Sequence, residues 1–240
     1  MRARILVIHP MGTDMYNEWT LNVLGSAVSP TTALSVRHLP GLPETPFVPE
    51  PELWRDEFFA AVVAAERDGF DVVLSACTSD PLVREAKPLV GIPVTGPFEA
   101  LSHTAPAMGP LTIIASGYKI DTWAPRAVAH GFDPGMVNVR MADFSHPDPE
   151  TAESLFATDV GKLRDVVMAE MERALVEDGI EQARRAVEED GAASVFFACS
   201  LWSGMLGRVV EQVQGVAVLD PLVMPLKYAE YLARVRHSAG

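Results

Sequence analysis

The sequence predicts an α/β protein made of two similar halves, each built on a mainly parallel sheet. Three observations carry that prediction. Apolar runs of strand length alternate with helix-like segments along the whole chain. The order of these elements starts again near the middle. The two cysteines of the chain, Cys77 and Cys199, each close an apolar run at matching places in the two halves. Strands alternating with helices favour parallel pairing, because the return crossover needs a helix.

In the first half, residues 4–9 form a strand that Pro10 and Gly12 break. A second short strand, 34–39, runs into the proline-rich stretch 40–46. Residues 50–69 have helical spacing, with Leu53, Phe58, Val62 and Ala65 expected near one face. The strand 71–77 delivers Cys77. A short helix at 81–90 follows, with Asp80 as N-cap and Pro81 in its first turn. The strand 91–96 then leads into a helix opened by Pro97. The second half repeats this order. Its strands are 111–116, 136–141, 193–199 and 216–219. Helices are expected at 121–130, from about 149 to 190 with Gly161 and Gly179 as dividers, at 204–214 and at 221–235.

With 240 residues, 48% of them hydrophobic, the chain can bury one compact core or two small ones. Its net charge of −13 argues against nucleic-acid binding, which needs a basic surface. No apolar run reaches the roughly 18 residues of a membrane span, and the start of the chain reads as a strand and not as a secretory signal. Two cysteines do not make a disulfide framework. The expectation is a cytoplasmic protein with reduced thiols, no membrane or nucleic-acid partner, and a small-molecule substrate.

In open α/β sheets, ligands bind at the carboxyl ends of the strands. Both thiols are expected there, as a pair of acid–base groups facing one substrate. Single buried cysteines often only fill space, so the matching placement of the two carries the weight. His9 ends its strand at the same edge, either to touch substrate or to bond backbone. Gly12 and Gly117 open turns whose N–H groups are free for an anion. Asp80 has a second reading, ordering the Cys77 loop. Trp19, Trp123 and Trp202 are either pocket walls or core, His103 and His146 surface or helix positions, and the acidic segment 170–190 a solvated face. No His or Cys pair has metal-ligand spacing, and no dinucleotide or phosphate-loop fingerprint occurs, so neither metal nor cofactor is expected.

The chain resembles the aspartate/glutamate/hydantoin racemase superfamily, most closely its hydantoin and allantoin branch. The segments that carry the resemblance are Cys77-Thr78-Ser79-Asp80-Pro81 with the strand before it, residues 92–96 with Glu99, Ala198-Cys199-Ser200, and residues 215–221 with Lys227 and Glu230. The resemblance implies two flavodoxin-like lobes related by pseudo-twofold symmetry. The first lobe would hold residues 1–98 plus about 216–240, the second about 99–215, with the active site in the cleft between them. It implies cofactor-independent inversion at a carbon next to a carbonyl, with Cys77 and Cys199 as the catalytic thiols, and a homo-oligomer. Three segments depart from the branch's usual pattern. Hydantoin racemases usually have Cys-Phe-Gly-Asp-Pro at the first thiol, Gly-Cys-Ala-Gly-Met at the second and Asn-Pro-Asn-Thr in the first loop. Here the first loop reads His9-Pro10-Met11-Gly12-Thr13.

On this reading one cysteine takes the α-proton as thiolate while the other returns a proton on the opposite face. The resulting enolate would be held by Thr13, Thr78, Ser79, Ser116 and Ser200 or by nearby backbone N–H groups, with His9 as a further substrate-binding residue. The substrate expected is a 5-substituted hydantoin or a related amino-acid derivative. Two other readings keep the scaffold: a cis–trans isomerase or decarboxylase of a small carboxylic acid, and a non-catalytic metabolite-binding module.

Overall fold

The computed structural model describes residues 2–116 and 120–238. The turn expected at Gly117 lies outside them. The first half runs β1 (Ala3–Ile8), α1 (Asn17–Gly25), β2 (Thr32–Arg37), α2 (Pro51–Arg67), β3 (Val72–Ser75), α3 (Val83–Ala86), β4 (Val94–Thr95) and α4 (Pro97–Thr104). The second runs β5 (Leu111–Ser116), α5 (Trp123–Ala129), β6 (Val137–Ala142), α6 (Pro149–Thr158), α7 (Val160–Ala174), α8 (Ile180–Asp190), β7 (Ser194–Phe197), α9 (Gly207–Gln212), β8 (Ala217–Leu219) and α10 (Val223–Ser238). The two halves match element for element, save that α6, α7 and α8 stand where the first half has α2.

Each half forms a four-stranded sheet, ordered β2-β1-β3-β4 and β6-β5-β7-β8, and every pair is parallel. The α/β expectation is therefore met. The central strands are buried on both faces, which is why β3 and β7 read as unbroken apolar runs and not as alternating ones. In each sheet the chain leaves the first strand in one direction and later crosses it to continue in the other. That reversal opens a crevice at the carboxyl ends of β1 and β3, and of β5 and β7. His9 and Cys77 follow the first pair. Ser116 ends β5, and Cys199 follows β7.

The last helix of each half packs on the other half's sheet. Phe98 and Leu101 of α4 bury against Leu111, Ile113 and Phe196, while Leu222, with Leu226, Ala229 and Ala233 of α10, buries against Ile5, Val7, Val72 and Leu74. Glu230 fastens α10 further, accepting from the Ser29 N–H at 2.7 Å and the Ser29 hydroxyl at 2.9 Å. Strand pairing corrects one detail of the expected lobes: β8 pairs with β7, so residues 217–219 sit in the second sheet, and the chain returns to the first sheet only with α10.

Several local expectations also change. On α2 the buried face is Trp54, Phe58, Val62 and Ala65, and Leu53 is 68% exposed. Steps of four, four and three residues keep one side of a helix, whereas the five from Leu53 to Phe58 do not. The long helical stretch breaks at Asp159, whose carboxylate caps α7 through the Lys162 N–H, and not at Gly161. At Gly179 it passes through a π-helical turn, Leu175–Gly179, with no break. The acidic face is not wholly solvated: Asp190 and Glu189 clamp Arg140 of β6 with three bonds of 2.7 Å.

Candidate active site

A cavity of about 650 Å³ opens between the two sheets' crevices, and both cysteines lie on its wall. His9, Thr78, Ser116 and Ser200 line it with them. Thr13 and Ser79 are not on the wall. Thr13 Oγ1 accepts from the Met15 N–H at 3.4 Å, and Ser79 Oγ lies 3.6 Å from Cys77 Sγ. Gly12 is required by packing: a Cβ there would come within 2.4 Å of the Pro43 carbonyl oxygen and 2.6 Å of that of Leu42.

The Cys77 turn is backbone-strained. Asp80 and Leu82 both have positive φ, 49° and 66°, a conformation that asparaginyl and aspartyl residues tolerate and leucine does not favour. Asp80 does not cap the helix that follows it. Its carboxylate instead reaches the start of α4 and accepts from the Glu99 N–H at 2.6 Å. This contact needs Gly96, where a Cβ would stand 2.2 Å from Asp80 Oδ1. Burial pushes the Asp80 carboxyl up to about 8, against the pull of the Glu99 and Phe98 N–H groups. Thr78 Oγ1 crosses to the other half and donates to the Ala198 carbonyl at 3.0 Å, one residue before the second thiol.

Both thiols are held above their ordinary pKa. Burial raises Cys77, the Ser79 hydroxyl and Arg126 draw it down, and Asp80 adds to the rise. Burial pushes Cys199 up to about 11, opposed by the Leu201 N–H and the Ser116 hydroxyl and reinforced by Cys77. His9 is neutral: burial lowers it to about 4, with His38 adding to the effect, and its Nε2 bonds Thr20 Oγ1 at 2.7 Å and not backbone.

The remaining walls are mostly apolar, and most of them carried no sequence signal of their own. Met11 and Tyr16 come from the loop after β1; burial, with Cys199 adding, holds the Tyr16 phenol well above its ordinary range. Phe47 and Val48 come from the loop after β2, and Phe144, His146 and Asp148 from the equivalent loop after β6. A usable signal was present: both loops are proline-bounded, both carry a phenylalanine, and both follow strands whose carboxyl ends face the site. His146 is thus a wall residue and not merely a surface one, and burial lowers its pKa. The tryptophans are absent from this wall. Trp202 is fully buried and donates to the Met171 carbonyl at 3.0 Å, while Trp123 packs on Phe98. Arg126 of α5, also unnoticed in the sequence, donates to the Ser79 carbonyl at 2.7 Å. Among the described residues, no lysine or arginine lines the cavity, and no group of three or more His, Cys, Asp or Glu side chains is placed to hold a metal ion. Nor is any helix there long and apolar enough to cross a membrane.

Comparison with known proteins agrees with this architecture. A model of the Asp/Glu/hydantoin racemase family matches residues 5–229. A hydantoin racemase of Paenarthrobacter aurescens is 28% identical over 99% of this chain and 94% of its own. The allantoin racemase of Pseudomonas fluorescens superposes with a TM-score of 0.70 at 19% identity, covering 97% of this chain and 91% of its own. That of Klebsiella pneumoniae gives 0.69 at 20% identity, covering 97% and 88%.

Proposed function

The chain belongs to the Asp/Glu/hydantoin racemase family and is a racemase, an isomerase; from that premise we propose that it inverts C5 of 5-substituted hydantoins with Cys77 and Cys199 as paired acid and base. The observation that carries the proposal is the placement of the two thiols, one from each half, on the wall of one cavity. A substrate held between them offers opposite faces of one carbon to two proton carriers. In one direction Cys77 as thiolate takes the C5 proton and the Cys199 thiol returns one from the other side. The reverse direction exchanges the roles, and each turnover leaves the charge on the other sulfur. The electron pair left at C5 passes to the neighbouring carbonyl, where the Ser200 hydroxyl and the N–H groups of the two Cys turns are the donors at hand. Ser116, bonded to Cys199, steadies that sulfur in its charged form.

The cavity wall supports the choice of substrate. A free amino acid brings a carboxylate, and the described wall offers no cation to meet it, while Asp148 repels it. A hydantoin is a neutral ring. Its 5-substituent would lie on Met11, Tyr16, Phe47, Phe144 and Leu163, so apolar substituents are favoured over the polar ureido group of allantoin.

The test is proton NMR in D2O with single enantiomers of 5-benzyl- and 5-isobutylhydantoin, allantoin, aspartate and glutamate. The expected result is loss of the C5 proton signal together with optical rotation, faster for the two apolar hydantoins than for allantoin. Exchange confined to aspartate or glutamate would refute the substrate class. Absence of exchange in every compound would refute the racemisation proposed.

A further inference from the structure

We propose that Arg126 is a positioning residue, reaching from the second half of the molecule to lock the Cys77 turn in place and to hold beside it the positive charge that a thiolate there requires. The inference rests on reading Cys77 as an acid–base group. Three contacts carry it. The Arg126 guanidinium leaves α5 and donates to the Ser79 carbonyl at 2.7 Å. The Ser79 hydroxyl in turn lies 3.6 Å from Cys77 Sγ. With the bond from Thr78 to Ala198, this ties both residues that follow the thiol to the opposite half.

The Arg126 charge also faces Asp80, whose carboxyl it draws down. Among the described residues, the buried Arg126 Nε and Asp80 Oδ1 have no hydrogen-bond partner. Among the described residues, the hydrogen bond the guanidinium makes is the one to the turn, at the Ser79 carbonyl. Among the described residues, the charged and titratable groups that act on Cys77 are Arg126, which favours the thiolate, and Asp80 and Cys199, which oppose it. Arg126 is the cation among them. The described surroundings of Cys199, which are Ser116, the Leu201 N–H, Tyr16 and Cys77, hold no counterpart.

The test measures the pH dependence of iodoacetamide alkylation at Cys77 in a Cys199→Ser background, with Arg126, Arg126→Lys or Arg126→Gln. Each protein is first shown to melt cooperatively. Removing the charge should raise the alkylation midpoint by about one pH unit in Arg126→Gln, a tenfold loss of reactive thiolate at pH 7. Arg126→Lys should stay close to the parent midpoint. With Cys199 intact, its turnover of 5-benzylhydantoin should fall, because lysine lacks the planar fork that spans to Ser79. A folded Gln variant with an unchanged midpoint overturns the proposal. Should that variant fail to fold, the lysine variant decides: a shifted midpoint, or full turnover, overturns it. A merely structural arginine would not move the midpoint. Alkylation needs no substrate, so it stays readable even if the hydantoin reading fails.

Discussion

The Cys77 turn and the Cys199 turn occupy the same place in two matching sheets, yet they are stabilised from opposite sides. In the first half the carboxylate belongs to the thiol's own turn: Asp80 reaches out to the α4 start, and Gly96 makes room for it. In the second half it belongs to the helix: Asp220, at the position matching Gly96, caps α10 through the Leu222 and Val223 N–H groups at 2.8 Å. The same carboxylate receives the Ser203 hydroxyl and the Gly204 N–H of the Cys199 turn. Both solutions join a thiol turn to a helix start with one carboxylate. They differ in what surrounds the sulfur. The Cys77 turn is strained, spans both halves and lies near Arg126, while Cys199 has hydroxyl and N–H partners alone among the described residues. Equivalent topology therefore supplies two thiols that are not chemically equivalent.

The largest expected effect breaks the pair itself. Cys77→Ser and Cys199→Ser should each lower racemisation by about 10²- to 10⁴-fold, the range of a lost general acid or base. The sharper expectation concerns deuterium. Each variant keeps one thiol, so each should still exchange the C5 proton of one enantiomer, and the two should prefer opposite enantiomers. If one serine variant racemises normally, the halves do not act as partners.

Next comes pH, where two buried groups of the first half work against each other. His9 folds with a pKa of about 4, so its contribution to stability is present above its unfolded value near 6.5 and is lost as pH falls towards 4. Asp80, at about 8, does the reverse: its contribution is present below about 4 and is lost as pH rises towards 8. Between about pH 4 and 6.5 the two slopes oppose each other, each near 1.4 kcal/mol per pH unit for full titration. Urea unfolding across that range should be nearly flat on their account. His9→Gln should make stability fall with pH, and Asp80→Asn should make it rise by about 3 kcal/mol. The equivalent strand end in the second half carries Ser116, which does not titrate, and Ser116→Ala should leave the profile's shape unchanged.

Alanine at the two matching junction positions comes third. Asp220→Ala strands several donors at once and should cost about 1–3 kcal/mol in urea unfolding. Gly96→Ala drives a methyl group into the Asp80 carboxylate and should cost a similar amount. The activities should separate the halves. Gly96→Ala displaces a residue of the strained Cys77 turn, so its kcat should fall further than that of Asp220→Ala at equal loss of stability.

The thiol pair and the two-sheet scheme were legible because they depend on features that repeat: apolar runs ending in Cys, and a proline, Pro97 or Pro221, that follows the fourth strand of each half at or just before its last helix. His9, Thr78, Ser116 and Ser200 could be placed from the strand ends they follow. What stayed hidden depends on contacts between halves. Nothing local in Trp123–Ala129 marks Arg126 as a neighbour of Ser79, 47 residues away. Asp80 read as the cap of the nearest helix because capping is usually local, whereas here a positive-φ turn sends the carboxylate to α4. The tryptophans misled for a simpler reason: a large aromatic beside a thiol reads equally well as wall or as core, and Trp202 has its N–H satisfied within the core by Met171.

The smallest expected effect concerns the bond that joins the two turns directly. Thr78→Val keeps the shape of the side chain and removes the hydroxyl that donates to Ala198, leaving a buried carbonyl one partner short. The cost should be about 1 kcal/mol, small enough to leave the fold intact at room temperature. Its value lies in its direction. If the halves are held in register chiefly by α4 and α10, which cross between the sheets, the variant will lose stability without losing kcat. If the turn-to-turn bond sets the reach from each sulfur to C5, kcat will drop several-fold while KM stays near its starting value, because positioning for proton transfer is more sensitive to small displacements than binding of an apolar ring is. The second outcome is the one expected, since Thr78 and Ala198 adjoin the two thiols.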